Sequence, residues 1–328
     1  MSKIQIVQTM SDEIEEDSCW TASFNLTWNK FKNEYLSNDF TCKSNDEDIK
    51  NLINFNQENF IFNDKIAFNE VQKASPEFKE KIENFINENF DGEINDENVL
   101  KKVDFENNDD LILCSIHEFL LDFDIAYENM NIKKFGNYKR NIEFFGFIQN
   151  YTKYNEQIIP LFYYDKNNFA VSLYSTSNQT IVLFRTDLED TFENVFKHLQ
   201  AKIDEASVGE YSLSISSFAC PKIKVEINKN YKNLSGKKFI RNSDSQEIKV
   251  SNAISSFKLN LNKDGIKSKE DETISLNELD CYGQTLQTNF RDFIFNDNFY
   301  MFIFDEDSIG FDNPIGAVKV KNIQKFLD

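Results

Sequence analysis

Four prolines and nine glycines in 328 residues leave no Gly/Ser or Pro-rich stretch to serve as a linker between domains. The same scarcity excludes a Gly-rich phosphate-binding loop. Only two histidines are present, His117 and His198, so an extended imidazole-based metal site is excluded. The five cysteines (Cys19, Cys42, Cys114, Cys220, Cys281) are odd in number, widely scattered and never at metal or redox spacing. Reduced thiols and a cytoplasmic setting are the expectation. No apolar run approaches the ~18 residues of a membrane-spanning helix. The N-terminal Met1–Met10 segment is interrupted by polar residues and followed by the acidic run Asp12–Asp17, so no secretory leader is expected.

Basic residues are also in deficit. Thirty-six Lys and Arg face 55 Asp and Glu, for a formal charge of −19. Such a polyanion is repelled by nucleic acid and by anionic lipid, whose binding requires Lys and Arg to displace counterions. Neither partner class is expected, and the charge serves solubility or, in the alternative, attraction to a basic partner.

What is present is apolar mass. The chain is 40% hydrophobic and 14% aromatic, with 33 Phe, enough to bury a large core. Residues 1–17 read as a flexible acidic lead-in, and 18–328 as a single domain. Phe24, Trp28, Phe31 and Tyr35 recur at helical spacing. A second helix begins at Ser75-Pro76, where Ser can cap and Pro suits the first turn. Phe78, Ile82, Phe85, Ile86 and Phe90 form its apolar face, and Gly92 ends it. Between these helices the chain is polar and mixed, with a short helix near Ile49–Ile53 and a brief strand at Phe60–Phe62. Leu111–Ile116 is a continuous apolar run of strand length, the pattern of a strand buried on both faces.

Strand signals dominate from there. Ile142–Ile148, Ile158–Tyr164, Phe169–Tyr174 and Thr180–Phe184 read as strands, the last three joined by polar turns. A helix with Leu188, Phe192, Val195, Phe196, Leu199 and Ile203 on one face follows. Then come strands at Tyr211–Phe218, Ile223–Ile227, Lys238–Arg241 and Ile248–Leu261. Two more lie at Phe293–Phe304, and a last at Pro314–Val320. The fold class is α+β: a helix-rich N-terminal part and large antiparallel or mixed sheets in the remaining two-thirds.

The order of these pieces carries a resemblance. Ser217-Phe-Ala-Cys-Pro-Lys-Ile-Lys-Val-Glu-Ile227, after a helix, is similar to the L-P-K-[FL]-K-[IL]-E strand of serpins. Ser251–Gly265 matches the frame of the strand that enters their reactive-centre loop. Phe295–Ile303 and Pro314-Ile-Gly-Ala-Val-Lys-Val320 resemble their closing strands. The resemblance covers residues 155–325, and weakens before that. Leu111–Ile116 keeps only the hydrophobicity of the corresponding serpin strand, and the usual N-terminal Asn/Ser-Pro motif is missing. The chain is short for a serpin, which implies trimmed helices.

The resemblance implies an exposed loop at about residues 265–290. In inhibitory serpins a protease cleaves this loop, which then inserts into the central sheet as a new strand. Insertion requires small side chains after the hinge glycine. Here Gly265 takes the hinge position, but Ile266 follows where a small residue should enter. One register turns Ile266, Ser268, Glu270 and Glu272 inward; the other turns Lys267, Lys269 and Asp271 inward. Burying such charges without partners costs on the order of several kcal/mol each. The usual frame places the scissile position near Leu279, beside Asp280, and Cys281 is an exposed loop thiol. The expectation is a non-inhibitory binding module with a protein partner, a protease among the candidates. The alternative is a serine or cysteine protease inhibitor of the serpin type with an atypical hinge.

Catalysis is not expected, nor a metal or cofactor. A Cys–His pair, Cys114/His117 or Cys281/His198, is possible on paper, but neither has a family signature. Asp305-Glu-Asp307 is a turn without calcium-loop spacing.

Overall fold

The structure is a computed structural model. It describes residues 18–21, 23–37, 39–42, 67–90, 100–101, 103–106, 110–119, 123, 127–130, 134–138, 142–148, 157–175, 179–207, 213–231, 234–261, 289–305 and 314–327. The expected lead-in at 1–17, the elements at 49–53 and 60–62, Gly92 and the Glu306–Asp307 turn lie outside them.

In chain order the first elements are β1 (Ser18–Thr21), α1 (Ser23–Phe31), β2 (Phe40–Cys42), β3 (Ala67–Lys73), α2 (Pro76–Phe90) and β4 (Leu111–Phe119). The middle of the chain forms β5 (Glu128–Met130), β6 (Phe144–Ile148), β7 (Ile158–Asp165), β8 (Asn168–Tyr174), β9 (Gln179–Arg185) and α3 (Phe192–Ser207). There follow β10 (Leu213–Pro221), β11 (Ile223–Asn230), β12 (Lys238–Arg241) and β13 (Gln246–Leu261). The last are β14 (Asn289–Ile294), β15 (Phe299–Asp305) and β16 (Gly316–Val320). A π-helical turn, Lys32–Leu36, prolongs α1, and a 3-10 turn lies at Ile323–Phe326.

Two compact units emerge. The first comprises Met1–Phe119, Lys224–Leu259 and Asp307–Ala317. Its sheet has the order β2-β12-β13-β4-β3, with β11 also pairing β13. β4 is buried on both faces, as its unbroken apolar run predicts. Leu111 and Leu113 join Phe24, Trp28 and Phe31 of α1 in one core, together with Phe239 and Tyr231. Ile112, Cys114 and Ile116 pack on the opposite side with Phe78, Ile82 and Ile86 of α2. Aromatic contacts fasten α1 in place: Trp28 and Phe31 lie 5.6 and 5.2 Å from Phe239, centroid to centroid. Ser75 caps α2 as expected, its Oγ accepting the Phe78 amide at 3.1 Å.

β3 was not expected. Ala67-Phe-Asn-Glu-Val-Gln-Lys73 mixes polar and apolar residues because it is an edge strand: it buries one large side chain on each face, Val71 toward α1 and Phe68 toward α2, while Lys73 is exposed. Its outward carbonyls are covered by side chains from the α1 region. Tyr35 Oη donates to the Val71 carbonyl at 3.0 Å and Lys30 Nζ to that of Asn69 at 3.4 Å.

The second unit comprises Leu120–Ile223, Asn260–Glu306 and Val318–Asp328. β15, β9, β8 and β7 are successive neighbours in one sheet, and β14-β10-β6-β5 form another. Phe169 lies between them, its ring 5.4 Å from Phe293 and 4.9 Å from Phe295. Arg185 ties β9 to the turn after β14: Nη1 donates to the Ile294 carbonyl at 2.9 Å and to Asn296 Oδ1 at 2.7 Å. Helix α3 starts at Phe192, so Leu188 falls before it instead of on its face. The Thr191 hydroxyl, accepting the Asn194 amide at 3.3 Å, sets that boundary.

Candidate functional site

The loop singled out by the sequence leaves β13 after Leu261 and returns at Asn289, the start of β14. Gly265, Ile266, Ser268, Glu270, Glu272, Leu279, Asp280 and Cys281 lie outside the described residues. What the structure describes is the strand that launches the loop and the strand beside it.

β13 runs parallel to β4. The register extends from Val250 opposite Leu111 to Leu259 opposite Phe119, with a bulge between Val250 and Asn252. Two strands separated by well over a hundred residues in sequence thus meet directly, and the sheet is closed along this seam. β3 flanks β4 antiparallel on the far side, Ala67 opposite His117 and Lys73 opposite Leu111.

The two ends of the seam differ in chemistry. At the start of the strands the α1 face is apolar, built from Leu111, Leu113, Val71, Val250 and Ala253. This end is also clamped. Lys249 Nζ lies 2.5 Å from Asp110 Oδ2, whose residue is buried, and the Asp110 carbonyl accepts the Ala74 amide at 2.9 Å. Ser251 Oγ donates to the Leu111 carbonyl at 3.3 Å, beside the bulge.

Toward the departure point of the loop the same face mixes polar side chains with Phe257. Ser115 and His117 follow Leu113 on β4; Ser255 and Phe257 follow Ala253 on β13. All are buried. Asn69 of β3 collects two hydroxyls at Oδ1: Ser115 Oγ at 3.0 Å and Thr27 Oγ1 of α1 at 3.1 Å. Thr27 Oγ1 is also 3.2 Å from the Cys114 carbonyl. On the other face Ser256 Oγ meets Asn228 Oδ1 of β11 at 2.7 Å. Apart from Cys114 and His117, considered only as a Cys–His pair, these residues escaped the sequence reading. The signal was there, as Ser115 and His117 extending an apolar run and Ser255-Ser256 within another.

The structure also decides one of the paper Cys–His pairs. Cys114 and His117 are three apart on a single strand, so their side chains point to opposite faces. Burial raises the Cys114 thiol far above its ordinary range, with the Glu70 charge adding to the effect. Burial alone pushes His117 down to about 3. Both groups are therefore neutral near pH 7 and held apart by the sheet, the reverse of an activated thiolate–imidazolium pair. The Cys220 thiol is likewise buried and raised. Cys281, partner of His198 on paper, lies outside the described residues. Among the described residues no group of three or more His, Cys, Asp or Glu is placed to hold a metal ion. No helix among them is long and apolar enough to cross a membrane.

A groove of about 680 Å³ runs between α2 and the first half of β3, with Phe68 and Phe85 in its lining. Glu70 at its edge accepts from both Lys30 (3.0 Å) and Lys81 (3.1 Å). Burial alone raises the Glu70 carboxyl, but the two lysines together outweigh it and leave it below its ordinary value.

No protein-family model matches the chain, and no curated protein matches its sequence. Solved structures do match in fold. Maspin superposes with a TM-score of 0.59 at 11% identity, covering 92% of this chain and 91% of its own. Tengpin, a thermophilic serpin in its native state, gives 0.57 at 12% identity, over 96% of this chain and 90% of its own. Serpin48, a highly specific serpin of the insect Tenebrio molitor, gives 0.54 at 12% identity, with 94% and 92% covered. The α+β fold with its large mixed sheets is the serpin fold, as the strand order in the sequence implied.

Proposed function

We propose that this chain is a non-inhibitory, non-catalytic serpin-like protein that binds a protein partner through the loop at about residues 265–290. The observation that carries the reading is the closed β4–β13 seam beside the loop's departure point. A strand entering there must part every pair from Val250–Leu111 to Leu259–Phe119. It must then set its own side chains against Ile112, Cys114, Ile116 and Ile254 on the α2 side. Small residues would fit such a lining. Glu270 and Glu272, or Lys267, Lys269 and Asp271 in the other register, would not. Lys249, the cation at the clamped end, is already engaged by Asp110.

The reading treats residues 18–328 as a single domain in a reducing, cytoplasmic setting, with no cofactor and no nucleic-acid or membrane partner. A protease that recognises the loop without being trapped is one form the partner takes. The test is incubation with a panel of serine and cysteine proteases, followed by a denaturing gel and a melting curve. Cleavage within 265–290 is expected without a covalent complex and with little change in melting temperature. A denaturant-resistant complex, or a large gain in melting temperature on cleavage, would establish the inhibitory alternative instead.

A further inference from the structure

The groove between α2 and β3 takes no part in the loop or the seam, and its charge is one-sided. Glu70, Glu77, Glu80 and Glu88 line it against a single lysine, Lys81. Its floor is aromatic: the Phe68 and Phe85 rings lie 5.0 Å apart, centroid to centroid. We infer that this groove is a docking site for an extended cationic segment of a partner protein, with an aromatic side chain set between two lysines or arginines.

The chain's own cations leave the groove's carboxylates available. Lys30 and Lys81 both hold Glu70, and Lys79 holds Glu83 at 3.4 Å. Glu77 is held low by its own amide and the Ser75 hydroxyl at the start of the helix. The carboxylates of Glu80 and Glu88 are exposed and meet no ion pair or hydrogen bond among the described residues. The net charge of −19 adds a long-range pull on any basic partner.

Spacing defines what fits. Glu80 and Glu88 are two turns apart on α2, ~12 Å along its axis. One metal ion cannot span that distance, since its oxygen ligands must lie within ~2.6 Å of it. An extended chain covers it in about four residues at ~3.3 Å each. Residues i and i+4 of such a chain face the same way, and residue i+2 faces that way between them. Cations at the two ends therefore reach Glu80 and Glu88 while the central side chain settles on the Phe68–Phe85 floor.

Lys81 shows how that floor receives a cation. Its ammonium lies 5.7 Å from the centre of the Phe68 ring and 3.1 Å from the Glu70 carboxylate. Glu88 follows Phe85 by one helical turn, so an arriving cation meets a second pairing of ring and carboxylate there.

Fluorescence anisotropy of a labelled Lys-Ser-Phe-Ser-Lys peptide, titrated with the full chain at low salt, tests the site. Lys-Lys-Phe-Ser-Ser, equal in composition and charge, is the reference. The spaced peptide is expected to bind about tenfold more tightly than the reference and to lose about tenfold in affinity when Glu80→Gln and Glu88→Gln are combined. Glu128→Gln with Asp292→Asn removes as much charge from exposed positions of β5 and β14, and is expected to change binding less than about twofold. Absence of binding to the unaltered chain overturns the proposal. So does equal binding of the two peptides, or an equal loss in the two pairs of variants, either of which reduces the effect to the general attraction of a polyanion. All four substituted side chains are exposed, and matching circular dichroism spectra would show that the variants keep the fold.

Discussion

The loop's two stems are built in opposite ways. β13, from which it departs, is an interior strand, paired on one side with β12 and β11 and on the other with β4. From Asn252 to Leu259 every residue of it is buried. β14, to which the loop returns, is the edge strand of a four-stranded sheet, paired among the described strands only with β10, in a parallel pairing that carries its own bulge. Phe290, in its second position, is 59% exposed. A chain leaving such a stem departs from a fixed point and returns to a margin. Cleavage in the loop would leave the departure side paired on both edges, and the return side, among the described strands, paired on one.

The strongest way to break the comparison is to disturb what holds β14's sheet. Gly146 of β6 lies opposite Ala219 of β10. A Cβ there would fall 1.9 Å from the Phe218 carbonyl oxygen, a backbone atom that cannot step aside. Gly146→Ala is expected to cost ~4 kcal/mol or more and to show as lost folded protein or a collapsed urea midpoint. Next is the departure stem itself. Leu259 is fully buried, so Leu259→Ala should cost about 3 kcal/mol in urea unfolding. Lys249→Met should cost about 1 kcal/mol, since it leaves the buried Asp110 carboxylate without this partner while the lysine itself is partly exposed. The smallest effect belongs to the return stem: Phe290→Ala is expected to change stability by less than ~0.5 kcal/mol. A Phe290 effect equal to that of Leu259 would erase the contrast between the stems.

The departure stem and the strands that pair with it were legible in the sequence as strands, but not their pairing. Ile248–Leu261 declares a strand through sustained apolar and β-branched content, and Leu111–Ile116 does the same. Nothing local states that these two segments pair, because a parallel pairing across so long a separation leaves no turn between them to read. The family resemblance implied the sheet system without that contact. β3 was missed because it buries only Phe68 and Val71, one on each face, and the Asn, Glu and Gln among them leave no period-two alternation to read. β2 and β5, each three residues long, are too short for a periodicity to register. Leu188 was placed on a helix because its spacing suits one, whereas the Thr191 cap begins the helix after it. The candidate site was legible only in part. The hinge glycine and the charges after it stood out, while the polar lining of the seam was hidden inside two runs that read simply as apolar.

The Tyr35 and Lys30 bonds to the carbonyls of β3 bear on how the protein behaves when concentrated. A bare strand margin is a template onto which another molecule can add its own strand, the first step toward fibres and precipitates. On β3 two of the acceptors such an intruder would need are already occupied from within the chain. Removing that guard with Tyr35→Phe is expected to leave the isolated molecule folded, yet to shorten the time a concentrated solution stays clear, as light scattering would record.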